Sequence, residues 1–237
     1  MKNLALTIIL GLTSFVAKAE SDIEFKEGNS YTFAGPVTEE SVDAAITGIS
    51  SKSVKFLILD TPGGSVDAGY RFVSFLKTRQ DIACVVQQAA SMGFVIFQAC
   101  GTRYVLDHSL LMQHQASLGL PPMKVANLLS TLKGILGQLD EMDNMQAKRM
   151  GLSLEKFKAL IHDDLWLFSG AKAVELNAAD KVVTASCSQD LINKKVRKKE
   201  IVQMFIFQSE VEVELSLCPL ILTKTVIEPK PEEAPAK

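Results

Sequence analysis

Ser91 and His114 would make a nucleophile and its base if the fold brought them together. A serine hydroxyl is a weak nucleophile at neutral pH. It needs a base for its proton, a group to orient that base, and N–H donors for the oxyanion that forms on attack. Ser91 lies in the segment QAASMG (88–93), between a short apolar run and an apolar helical pattern. Small residues ahead of Ser91, and Gly93 two places after it, would let a substrate backbone approach closely. A serine opening a helix sits beside N–H groups without intrahelical partners and at the positive end of the dipole. Both favour an anion at that point. The plainer alternative is a serine that only caps the helix.

Two further segments add to this one. DTPGGS (60–65) follows an apolar run and precedes a helical pattern, and its glycines free a backbone N–H to point at a ligand. A phosphate loop would need GxxxxGK[ST], which is missing. SLLMQHQ (109–115) ends an apolar run on His114. Taken singly, a histidine there is a satisfied structural residue. Taken together, in this order and spacing, the three segments are a stronger signal than any one of them.

TPGGSVDAG (61–69), QAASMGF (88–94) and MQHQASLG (112–119) resemble the three signature segments of the Clp protease proteolytic subunit, within the ClpP/crotonase superfamily. The resemblance continues through a long "handle" helix to GLSLEKFKALIHDDLWLFSGAKAVELNAAD (151–180) and covers about residues 31–183. It implies Ser91 as nucleophile and His114 as general base. The oxyanion hole would be the N–H of Met92 with one from the Gly63–Gly64 turn, Gly64 being preferred. Counting forward from Gly151, the family's aspartate falls on Asp164; counting backward from Ala173, it falls on Leu165. One extra residue between 166 and 171 reconciles the counts, and Asp164 is taken as the third member because a carboxylate must hold the imidazole. Asp163 is the fallback. Departures are Ala116 where the family has proline, a short lead into the first strand, and an added C-terminal segment.

The implied activity is an ATP-independent serine endopeptidase that cuts peptides or unfolded protein segments through an acyl-enzyme. It would work as a homo-oligomer, without cofactor, metal, nucleic acid or ATP-driven unfoldase. Three alternatives remain open. A Ser–Lys dyad like that of signal-peptide peptidases would use Lys148. The scaffold would otherwise be a non-catalytic assembly or binding protein, or, more distantly, perform acyl-CoA chemistry of the crotonase type.

The elements that must position these residues read as an α/β domain, with short apolar strands alternating with helical patterns. Residues 53–59, 82–87 and 103–106 predict strands; 68–77 and 91–100 predict helices. From 122 to 162 the pattern is helical, with a stripe from Val125 to Leu139 at helical spacing. Gly151 ends one helix and Ser153 caps the next. That stripe reads chiefly as core, with contact to another subunit as the other use. Residues 186–227 predict a β-rich extension in which a basic cluster (Lys194, Lys195, Arg197, Lys198, Lys199) is solvated. The Pro/Glu-rich 228–237 predicts a disordered tail.

Of the 237 residues, 47% are hydrophobic and 22% charged, and the net charge of −2 excludes a basic field for nucleic acid or anionic membrane. Met1-Lys2-Asn3, an apolar run to Val16 and Ala17-Lys18-Ala19 read as a cleaved secretory signal, residues 1–19, with an uncut N-terminal membrane anchor as the alternative. The expected domains are this signal, a catalytic domain over 20–185, the extension and the tail. Export, periplasmic or fully secreted, makes disulfides the expectation for the four cysteines. Four cysteines allow three pairings, of which Cys84 with Cys100 and Cys187 with Cys218 is preferred, and four buried free thiols are the alternative. CxxC spacing is absent, so zinc is not indicated.

Overall fold

A computed structural model describes residues 22–227 apart from 118, 120, 121, 123, 205, 206, 222 and 223. The expected signal and the expected disordered tail lie outside the described residues. In chain order the elements are β1 (Ile23–Phe25), β2 (Ser30–Ala34), α1 (Glu39–Ser50), β3 (Phe56–Thr61), α2 (Val66–Lys77), β4 (Ala83–Ala90), α3 (Met92–Gln98) and β5 (Thr102–Gln113). There follow α4 (Val125–Arg149), α5 (Leu154–His162), β6 (Leu165–Leu167), α6 (Gly170–Glu175), β7 (Lys181–Val182), β8 (Ala185–Cys187) and α7 (Gln189–Asn193). The chain closes with β9 (Lys195–Met204), β10 (Phe207–Ser216) and β11 (Lys224–Ile227).

The central sheet runs β2-β3-β4-β5 in parallel, β6 adds antiparallel to β5, and β7 pairs parallel with the start of β5. Both faces are covered, which is why FLIL in β3 is a continuous apolar run and not an alternation. Leu57, Leu59, Cys84 and Val86 face the helices α1 to α3 in one core. Ile58, Val85 and Leu106 face a second core with Phe25, Val183 and Leu191.

Local sequence sets the helix ends. Ser65 accepts from the Ala68 N–H at 3.3 Å to start α2, and Ser153 from the Lys156 N–H at 3.3 Å to start α5. Gly151, at φ +69°, follows α4. Strand β5 runs well past the 103–106 read from the sequence. Its polar Asp107-His108 interrupts the apolar run at a register shift in β4–β5 pairing. There the Ser109 hydroxyl accepts from the Leu106 N–H at 2.7 Å and donates to the Val86 carbonyl at 2.5 Å, so the strand continues.

The stripe of α4 corrects the sequence reading in its first half. Val125, Leu129 and Leu136 are exposed, and burial begins only with Met142, Gln146 and Ala147. The N-terminal turns therefore add no core.

A buried charge cluster ties the ends of these elements together. The Arg103 guanidinium donates to Asp180, to the Gln98 side chain at 2.5 Å and to the Asn177 carbonyl at 3.0 Å. Arg149, from the end of α4, donates to the Cys100 carbonyl at 2.9 Å. Both expected disulfides are formed, Cys84–Cys100 and Cys187–Cys218. The second ties β8, which pairs with β1, to the segment after β10. In the antiparallel β9-β10-β11 sheet, Arg197 stands opposite Glu214 and Lys199 opposite Glu212. Two residues of the basic cluster thus stand opposite carboxylates, and Lys194, just before β9, donates to Glu27 at 2.6 Å.

Candidate active site

Strand β4 ends at Ala90 and helix α3 begins at Met92, leaving Ser91 alone at the turn between them. It has φ +52° and ψ −120°, a sparsely populated conformation for a residue with a Cβ. Its N–H donates to the Met112 carbonyl of β5 at 2.8 Å, fixing the turn against the neighbouring strand. Ser91 makes no capping hydrogen bond with its side chain. Instead Oγ lies 2.8 Å from Nε2 of His114. That disposes of the simple cap, because the hydroxyl is committed to the imidazole.

His114 is the first residue past β5. Its backbone N–H donates to the Gln113 side-chain oxygen at 3.1 Å, and the Gln113 amide donates to Gln146 of α4 at 2.5 Å. Gln113 and Gln146 are buried. A satisfied buried amide pair is geometrically restrictive, so the long helix helps fix where the histidine leaves the sheet. Nothing in the sequence pattern pointed to this pair.

The glycine turn packs directly on the nucleophile. A Cβ on Gly63, at φ +91°, would stand 2.8 Å from the Ser91 Cβ and 2.9 Å from the Met92 nitrogen. The two glycine N–H groups differ. That of Gly63 donates to the Thr61 hydroxyl at 3.1 Å, whereas that of Gly64 has no acceptor among the described residues. The Met92 N–H, first of its helix, has none either. Gly64, Ser91, Met92 and His114 line one cavity of about 460 Å³.

Other small residues of the motif do different work from that expected of them. Ala89, Ala90 and Gly93 are buried, and a Cβ on Gly93 would meet the Thr61 methyl at 2.6 Å. They let α3 sit close on β3. Asp60, which opens the glycine motif, lines a separate cavity with Gln88 and His108, and its burial pushes its carboxyl up.

Asp163 and Asp164 are both exposed, and neither makes a hydrogen bond to His114. Antiparallel pairing of Gln113 with Leu165 and Met112 with Trp166 makes position 164 the next one opposite 114. Asp164 has φ +57°, whereas Asp163 terminates α5. Lys148 is exposed and absent from the cavity lining; the lysine in the cavity is Lys158. Lys158 donates to Asp140 at 2.5 Å, which raises its pKa and keeps it protonated.

Comparison with known proteins places the chain in a family. A family model described as Clp protease matches residues 42–186, more than half of the chain. The chain belongs to the Clp protease family. It is 31% identical over 135 residues to the ATP-dependent Clp protease proteolytic subunit 2 of Nocardia farcinica. That alignment covers 54% of this chain and 64% of the relative's length, so less than two thirds of the relative is matched. The expected Clp-protease-like α/β fold holds, and the family match spans all three motifs and the aspartate pair.

Proposed function

We propose that the chain is a serine-type endopeptidase that cleaves peptides or unfolded protein segments through an acyl-enzyme on Ser91. The observation that carries this reading is the 2.8 Å approach of His114 Nε2 to Ser91 Oγ beside two backbone N–H groups that are unpaired among the described residues. His114 takes the hydroxyl proton as Oγ attacks the carbonyl, and the N–H groups of Met92 and Gly64 receive the oxyanion. The imidazolium then protonates the leaving amine, and water activated by the same base releases the acyl group. Asp164 is the orienting carboxylate in this reading, on the strength of its register opposite the base.

The protein is exported, a reading supported by the N-terminal signal pattern and two disulfides. An exported enzyme has no ATP to draw on, which is why no unfoldase partner is invoked. Exposed Val125, Leu129 and Leu136 of α4, and the stacked Trp166 and Phe168, are the surfaces for homo-oligomerisation.

The Ser–Lys alternative separates cleanly. His114→Ala should lower peptide hydrolysis by at least about 10³-fold, while Lys148→Ala should change it less than about twofold. The reverse pattern would overturn the assignment of the base.

A further inference from the structure

Helix α4 turns one face to the catalytic cavity, where Leu139, Asp140, Met142, Asp143 and Gln146 recur at helical spacing. Helix α5 adds Lys158 and Ile161. Three of these groups are charged, and they are not equivalent. Lys158 is taken up by its hydrogen bond and ion pair with Asp140. Asp143 makes no hydrogen bond or ion pair among the described residues, although its carboxyl is half-buried. Burial raises its pKa, and the positive charge of Lys158 opposes this only in part. The walls therefore carry one carboxylate in excess, set among apolar side chains.

This arrangement selects among substrates. An apolar side chain filling the cavity would strip water from Asp143 and supply no partner, which is costly for a carboxylate. An acidic side chain would add repulsion. A lysine or arginine would lay its methylene stem along Val66, Val95, Leu139 and Met142 and bring its cation to Asp143. We propose that Asp143 is the specificity residue of this cavity and makes the enzyme prefer a lysine or arginine next to the scissile bond. The inference rests on the peptidase reading above and names its substrate class.

Two stages of one experiment keep the claims apart. Wild-type mature protein is first treated with a fluorophosphonate; absence of covalent labelling would overturn the peptidase reading itself. An untreated portion of the same preparation is then profiled on peptides that differ only in the residue flanking the scissile bond: arginine, its neutral isostere citrulline, leucine or glutamate. The expected result is a kcat/KM for arginine at least about tenfold above that for citrulline, equivalent to about 1.4 kcal/mol. Asp143→Asn should bring the two within about twofold, and Asp143→Lys should turn the preference toward glutamate. The citrulline comparison needs no variant and stands if a substitution prevents folding. Equal rates for arginine and citrulline in the wild type, or an arginine preference that survives Asp143→Asn, would overturn the role of Asp143.

Discussion

Replacing Arg103 by methionine tests whether the buried charge cluster holds the domain together behind the nucleophile. The Arg103 side chain is only 5% exposed and bonds to Asp180, Gln98 and the Asn177 carbonyl. Methionine keeps much of the stem packing but leaves those acceptors without their donor. Breaking a buried pair from one side costs about 3–5 kcal/mol. The Asp180 side chain is 37% exposed, so water recovers part of the loss and the low end, about 3 kcal/mol, is expected. With a urea dependence of about 2 kcal/mol per molar, the unfolding midpoint should fall by about 1.5 M at fixed protein concentration. The pH dependence fixes the cause. Burial alone would raise the Asp180 carboxyl, but the hydrogen bonds and charge of Arg103, with the charge of Arg149, hold it below the usual range. A carboxylate depressed in the folded state contributes stability above its unfolded value, near 3.8, and loses that contribution as pH falls through the folded value. The gap between wild type and Arg103→Met should therefore be widest near neutrality and shrink below about pH 4. A deficit under about 1 kcal/mol at neutral pH, or one unchanged in acid, would refute the reasoning.

Two other perturbations follow from the same coordinates. The Cys84–Cys100 bond closes a loop with sequence separation 16, for which chain entropy gives about 3 kcal/mol. The double serine variant should show that deficit in urea, and reductant should lower the wild-type midpoint at least to that of the variant, because it also opens Cys187–Cys218. Gly63→Ala should cut peptide hydrolysis at least about 10²-fold with a smaller loss of stability. Its Cβ would press on Ser91 and Met92 at 2.8 and 2.9 Å and push the donor turn outward. Unchanged kcat would show that this turn does not contribute to the oxyanion site.

What could be read from the chain was local. FLIL, the glycine turn and the cap serines Ser65 and Ser153 each carry their conformation in a few adjacent residues, and so their elements were legible. Ser91 and His114 stood out as residue types in short motifs, and the family resemblance supplied their proposed roles. Their contact depends on β4 and β5 lying side by side with Ser91 N–H on the Met112 carbonyl, which no local rule supplies. Why Gly64 and not Gly63 has the free donor became clear only when the Thr61 hydroxyl proved to satisfy the latter. The α4 stripe misled because periodicity reports an apolar face without saying what covers it; Leu129 and Leu136 are 60% and 55% exposed. The Gln113–Gln146 pair and the Asp140–Lys158 bond were invisible because they join residues 33 and 18 positions apart.

The most direct measurement is mass spectrometry of the purified protein after fluorophosphonate treatment, with the adduct mapped to a residue. One adduct per chain on Ser91, slowed by at least about 10³-fold in His114→Ala and absent in Ser91→Ala, is the predicted result. An adduct on another residue, or a Ser91 that stays unmodified in the folded wild type, would contradict it.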